Sequence, residues 1–521
     1  MSNQEKFVQE ITSSYTFKGP EIILGGAMLE GNCIKDTFVK VPLKMMNRHG
    51  LIAGATGAGK TKTLQIIAEQ LSSEGVPVLL MDIKGDLSGI AAASDGHPKI
   101  EERHAKIGIP FKADQSPVEF LSLSDEKGVR LRATVTEFGP ILFSKILDLS
   151  TTQAGIVSVL FKYCDDNNLA LLDLKDFKKT LNWVIGDGKE EVEELYGSMS
   201  TRSVGTILRK IVELEQQGAE QFFGERSFEV DDLIRMDENG KGIVSVLRLT
   251  DIQDKPKLFS TFMLQLLAEV YSTFPEQGDS DRPKLVIFID EAHLVFKEAT
   301  SALLDQIEAI VKLIRSKGVG LFFVTQNPVD IPDAVLGQLG LKMQHALRAF
   351  TAKDRKAIKL AAQNYPISEF YDTDTLLTEL GIGEALVTTL NEKGIPTALV
   401  HTLLRAPQSR MDVLTGGEID EIINDSKLIK KYNEVVDRES AYEILTEKMK
   451  EAQTEEKQAE LKKQKAKASR SSSRSEKSTF EKVISNTTTR QIGRTIAREL
   501  TRGLLGVLGI GGKGKRKSGW F

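Results

Sequence analysis

Strands buried on both faces read as short unbroken apolar runs, and surface helices as apolar positions three and four residues apart. The chain carries runs of the first kind at His49-Gly-Leu-Ile-Ala53, Val76–Met81, Gly242–Leu249, Lys284–Ile289 and Gly318–Thr325. Helical spacing fills the gaps. It covers Thr63–Leu71, Leu258–Tyr271 and about Ser301–Arg315, where Leu303, Leu304, Ile307, Ile310, Val311 and Ile314 share one face. A further strand at Gln344–Phe350, a helix at Ala352–Ala362 and a closing pair of strands at Gly383–Thr389 and Ile395–His401 complete the pattern. The prediction is an α/β core with a mostly parallel sheet, built from residues 49–90 and 241–425.

Around that core the pattern changes. Residues 1–48 hold short β-like pieces, Glu21–Leu24 and Thr37–Pro42, broken by paired glycines, and predict a small N-terminal β cap. Residues 91–240 read as a mainly helical insertion, with helices at Ala154–Tyr163, capped by Thr151 or Thr152, at Leu169–Val184 and at Ser203–Gln216. From 426 to 468 the chain is charged and poor in turn residues, which predicts a long solvated helix. Residues 469–521 begin with a serine-rich linker and end in a basic amphipathic helix. There Arg490, Arg494, Arg498 and Arg502 oppose Ile492, Ile496, Leu500 and Leu504.

Chemistry enters at the end of the first core strand. Gly54, Ala55, Thr56, Gly57, Ala58, Gly59, Lys60 and Thr61 fit the phosphate-binding pattern G-x-x-x-x-G-K-[ST], and Lys62 joins them in the expected nucleotide-binding set. Glycines let the backbone curl so that N–H groups face phosphate oxygens at the positive end of the helix. Lys60 is placed to reach the β/γ phosphates and Thr61 to hold Mg²⁺. The run Lys284–Ile289 ends in Asp290-Glu291, as the second half of such a site requires. Asp290 is the metal-shell acid, and Glu291, free of the metal, is the group to polarise an attacking water. A later strand delivers Thr325 and Gln326 to the same edge, where Gln326 suits sensing the γ phosphate or holding water. A glutamine that merely caps the loop is the alternative.

Length and composition add limits. At 521 residues the chain exceeds one core, since domains average roughly 150 residues. The net charge of −4 and 6% aromatic content commit the whole chain to neither nucleic acid nor membrane. Charge is unevenly distributed, however, with sixteen Lys/Arg against three acids from Leu461 to Phe521. Cys33 and Cys164 lack metal-ligand spacing and suit a reducing compartment. No apolar stretch approaches the ~18 residues of a membrane span, so the expected location is the cytoplasm.

The ordered set of Gly54–Thr63, Asp82-Ile-Lys84-Gly-Asp86-Leu-Ser-Gly89, Ile287–Phe296 and Val324-Thr-Gln-Asn-Pro328 resembles the HerA/FtsK superfamily of RecA-like P-loop ATPases, near the bacterial YjgR-type HerA-like proteins. The resemblance covers about residues 20–425. It implies an ATP- and Mg²⁺-dependent motor assembled as a homo-oligomeric ring, expected to be a hexamer, with DNA as the polymer moved. It also implies an arginine that enters the neighbouring subunit's site, for which Arg315 is the carried-over candidate, ahead of Arg348 and Arg355. A helix-end cation serving the dipole is the other account of Arg315. The short stretch before the phosphate loop and the insertion depart from archaeal HerA and leave partner choice open.

Other functions compete with this one. Asp290-Glu-Ala-His293 spells the DEAH box of monomeric helicases, but too little chain follows Gln326 to build their second motor core, so His293 reads as structural. No Asn-Lys-x-Asp guanine signature is present, which favours adenine. The rival of a different class is an ATP-dependent assembly or scaffold protein whose arginine-rich tail docks on an acidic partner or an anionic membrane surface.

Overall fold

The computed structural model describes residues 2–451 and 454, other than 254, 279, 298–300, 349, 350, 435 and 437. The expected basic tail helix and its linker lie outside the described residues. Two compact units are present, one formed by residues 1–132, 217–222 and 226–435, the other by 133–216, 223–225 and the described residues from 436.

The first unit holds a twelve-stranded sheet. In chain order its strands are β1 (Glu21–Leu29), β2 (Asn32–Pro42), β3 (Gly50–Ala53), β4 (Val78–Asp82), β5 (Val118–Ser122), β6 (Val129–Arg130), β7 (Val244–Arg248), β8 (Leu285–Ile289), β9 (Val319–Thr325), β10 (Leu341–Gln344), β11 (Glu384–Thr388) and β12 (Val400–Leu404). Their spatial order is β2-β1-β12-β11-β10-β3-β9-β8-β4-β7-β5-β6. From β10 to β6 every pairing is parallel, and from β10 outward to β2 every pairing is antiparallel. β3, β4, β8 and β9 are buried along their whole length, as unbroken apolar runs require when helices cover both faces. Val78, Leu80, Val286, Phe288, Phe322 and Val324 join one core cluster with Leu64, Ile67, Ala68 and Leu71 of the helix after β3. Each such side chain contributes roughly 1.5–3 kcal/mol by leaving water.

Several boundaries differ from the sequence pattern. The N-terminal strands are not set apart from the core: β1 pairs with both β2 and β12, so the sheet simply continues. A capped helix, α1 (Asn3–Ser14), precedes them, its Ser2/Glu5 capping box being the signal that periodicity alone overlooked. The strand expected at Gln344–Phe350 ends where it was expected to begin, because Leu341–Gln344 is the run in register with Gly50–Ala53. Residues 345–348 instead continue past the sheet edge. The second closing strand forms at Val400–Leu404, against Glu384–Val387, rather than at Ile395–His401. Within the expected insertion, β5 and β6 are strands of the main sheet; Glu119 and Ser122 break the apolar run of β5, and β6 has only two residues.

The second unit is helical. Its members include Val135–Ile146, Thr151–Asp166, Leu174–Ile185 and Thr201–Gln216. Phe143 packs against Phe177 with ring centroids 4.7 Å apart, and Phe138, Phe161 and Phe223 complete the aromatic centre. The cap of the Thr151–Asp166 helix is Ser150, not Thr151 or Thr152; its hydroxyl accepts from the Gln153 N–H. Buried Asp176 accepts hydrogen bonds from Ser440 Oγ and Tyr442 N, which holds the segment after 439 within this unit. The single charged helix expected from 426 is interrupted in its described part: a short Ile429–Tyr432 turn buries Tyr432, and helix resumes only at 441. Burying an aromatic side chain there outweighs helical continuity. No described helix is long and apolar enough to cross a membrane.

Candidate active site

Because β3, β4, β8 and β9 run parallel and are neighbours in the order β3-β9-β8-β4, their C-terminal ends open at one edge of the sheet. That edge is where α/β proteins bind ligands. β3 feeds the phosphate loop, which continues into the helix α2 (Lys60–Ser73). Gly57 and Gly59 adopt φ of 76° and 110°, values that side chains resist. The loop is tied to both neighbours of β3, since Gly54 N donates to Thr325 O at 3.2 Å and Ala55 N to Ala346 O at 2.8 Å. A Cβ on Gly54 would lie 2.5 Å from His345 Cβ, so the backbone passes that histidine with no room for a side chain. Thr56 and Gly57 are exposed at the tip.

Lys60 is buried and turns back on its own loop, donating to Gly54 O at 2.7 Å and Ala55 O at 3.1 Å. Burial and then the neighbouring Lys84 hold its ammonium below the ordinary lysine range. Thr61 Oγ1 donates to Asp86 Oδ2 at 3.2 Å. Lys62 donates to Met411 O, and Asp86 is among the carboxylates acting on its ammonium.

The end of β8 brings Asp290 and Glu291 to the same place. Burial pushes the Asp290 carboxyl up to about 6, against the pull of Lys84. Burial is the largest single influence and works to raise Glu291, but the ion pair with Lys84 together with the nearby His293 and Lys60 outweighs it and holds this carboxyl below its ordinary range. Lys84 Nζ lies 2.5 Å from Glu291 Oε1 and 3.8 Å from Asp290 Oδ2, and His293 Nδ1 lies 3.2 Å from Glu291 Oε2. Gln326 sits exposed immediately past β9, between the loop and these acids in strand order.

The residues present fit a magnesium ion held largely by phosphate and water. Asp290 Oδ2 and Asp86 Oδ1 are buried without a hydrogen-bond donor, and Thr61 Oγ1 stands beside Asp86. No group of three or more His, Cys, Asp or Glu able to hold a metal unaided occurs among the described residues. Mg²⁺ usually takes one or two protein carboxylates, substrate phosphates and several waters.

Arg315 is not brought to this edge. It opens the turn Arg315–Lys317 that leads into β9, so it stands at the opposite end of that strand from Gln326. There it shares a cavity of about 420 Å³ with Lys44, Arg48, Lys312 and Glu392. Arg348, exposed, donates to Thr378 O. Sequence reasoning assigned no role to Lys84, Asp86, His345 or Arg48. The motif Asp82–Gly89 was the available signal for the first two.

The family model for the helicase HerA-like C-terminal domain matches residues 28–516. The chain belongs to the HerA-like family. Among relatives, this HerA-like chain is 22% identical over 362 residues to the DNA double-strand break repair helicase HerA of Sulfolobus acidocaldarius, covering 67% of this chain and 64% of that protein. It is 24% identical over 363 residues to its namesake from Saccharolobus solfataricus, covering 68% and 64%. The match thus spans less than two thirds of either relative's length. The HerA-like fold is similar to plasmid coupling protein TrwB in complex with the GTP analogue GDPNP, with TM-score 0.51 and 13% identity over 80% of this chain and 96% of that one. An unbound form of the coupling protein lacking its N-terminal segment gives TM-score 0.50 at 14% identity, covering 78% and 94%. The RecA-like P-loop architecture expected from the sequence is therefore the fold of this family member.

Proposed function

We propose that this HerA-like protein is a ring-forming, Mg²⁺-dependent ATPase that uses hydrolysis to move DNA. The observation that carries the reading is the division of parts between the two ends of β9. The phosphate loop, Asp290, Glu291 and Gln326 converge at one end, and Arg315, with Arg48 beside it, stands at the other. A site that gathers a loop lysine, a metal-shell acid, a second acid and an amide suits in-line attack of water on a γ phosphate. Glu291 accepts the water proton as the oxygen attacks phosphorus, the bond to the β-phosphate oxygen breaks, and ADP leaves with that electron pair.

Such a transition state gains from a cation that neutralises the transferring phosphoryl, an effect worth roughly 10³–10⁵ in rate. Arg315 cannot serve its own site from the far end of β9. A second copy placed head-to-tail would present this arginine to its neighbour, which favours a closed ring over a monomer. DNA as the polymer rests on the relatives, which are described as DNA double-strand break repair helicases. The decisive experiment measures ATP and GTP turnover with and without double-stranded DNA, single-stranded DNA and RNA, beside mass in solution. DNA-stimulated turnover by a ring supports the reading; turnover by a monomer indifferent to nucleic acid overturns it.

A further inference from the structure

The acids at the end of β8 are met by a cation that does not come from the phosphate loop. Lys84 follows β4, which pairs with β8 in register through Met81 and Ile289. Its loop is built on one buried carboxylate: Asp82 Oδ1 accepts from Gly85 N at 2.7 Å and Asp86 N at 3.1 Å, and Oδ2 accepts from Leu87 N at 3.2 Å. Gly85 takes φ of 75° to close the turn. The backbone that carries Lys84 is therefore fixed from within, while its side chain remains 34% exposed.

Glu291 needs such a partner. Its φ is 45°, in the left-handed region, a conformation that a residue with a side chain adopts only where the surroundings impose it. The charged groups around its carboxylate are Lys84 from the β4 loop, Lys60 from α2, His293 from the helical turn that follows, and Asp290 beside it. Of these, Lys84 makes the closest contact at 2.5 Å, and its Nζ also lies 3.8 Å from Asp290 Oδ2. It thus offsets the repulsion between two acids at one strand end, while the Lys60 ammonium is held by the Gly54 and Ala55 carbonyls.

We propose that Lys84 is the positioning residue for Glu291, fixing the direction of the carboxylate that aligns the attacking water. The proposal rests on the reading of Glu291 given above. Misaligning a reacting group by about 1 Å costs roughly 10²-fold in rate. Lys84→Met is therefore expected to lower kcat by about that factor while leaving KM and the affinity for a fluorescent ATP analogue within about twofold. Lys84→Arg should recover most of the rate, and Lys84→Gln, which keeps a hydrogen-bond donor, should fall between. Lys84→Met added to Glu291→Gln should cost nothing beyond Glu291→Gln alone, because both act through one carboxylate.

Melting temperatures of the three Lys84 variants separate catalytic loss from unfolding, and Lys84→Gln carries the test if the methionine variant is unstable. Unchanged kcat in a folded variant, a weakened ATP affinity with kcat intact, or losses that multiply in the double variant would each overturn the proposal. A Glu291→Gln protein with normal turnover would instead remove the reading beneath it, whatever Lys84→Met does.

Discussion

Acidification measures how firmly the strand bearing the phosphate loop is held to its neighbours. His49, just ahead of β3, is buried, with Nε2 2.9 Å from Val311 O and Nδ1 accepting from Leu321 N at 3.0 Å. That pair of partners requires a neutral ring protonated on Nε2. Burial pulls the imidazole down to about 4, the Val311 carbonyl opposes this, and Arg315 adds to it. The unfolded chain, with His49 near 6.5, therefore binds more protons than the folded one between about pH 6.5 and pH 4. Stability from neutral His49 is complete above the unfolded value and is lost as pH falls through the folded one. At ~1.36 kcal/mol per pKa unit the full loss is about 3 kcal/mol, of which about 2 kcal/mol has gone by pH 5. Urea unfolding of the wild type and His49→Gln at pH 7.5 and pH 5.0 tests it. The variant should be the less stable at pH 7.5, yet lose about 2 kcal/mol less on acidification. His345, also pulled down to about 4 by burial, stays in both proteins and cancels. Parallel losses in the two proteins would show that His49 is not where the folded state resists protonation.

Lys60→Ala should abolish turnover by removing the phosphate-facing ammonium, while Glu291→Gln should still bind ATP and stall, as nucleotide binding and single-turnover assays will distinguish. Gln326→Ala should slow hydrolysis with modest loss of binding, since an amide orients rather than neutralises; an unchanged rate makes it a loop residue. Mixing Arg315→Ala with Lys60→Ala subunits should restore part of the ATPase where an intact loop meets an intact arginine, and mixed rings without recovery would refute action across a subunit boundary. Gly54→Ala should destabilise the core by about 1–3 kcal/mol in thermal unfolding, because the new methyl would lie 2.5 Å from His345 Cβ.

Much of the site was legible because its chemistry is local. Gly54 to Thr61 must be contiguous to curl around phosphate, and Asp290-Glu291 must follow an unbroken apolar run to reach a buried sheet edge, so adjacency in sequence carried the signal. The capping boxes at Ser2 and Ser150 are equally local, but they are made by polar residues and leave no mark on the apolar period. Short strands such as β5 and β6 were hidden for a different reason. Glu119 and Ser122 deny β5 an unbroken apolar run and β6 has two residues, so their place in the sheet is supplied by pairing with β7 and with each other.

The amino-acid sequence by itself determined the alternation of strands and helices, the glycine-rich loop with its lysine and the pair of acids that ends a buried apolar run. Only the tertiary structure decided which strands are neighbours. The order β3-β9-β8-β4 places Lys84 against Glu291 although they are far apart in the chain, and stands Asp86 beside Thr61. The same order puts Arg315 at the end of β9 away from the site its charge would serve. A hydrophobic run states that a strand is buried but not beside what. Neighbours are chosen by long-range hydrogen bonding and packing, and in a parallel sheet that choice settles which loops share an edge.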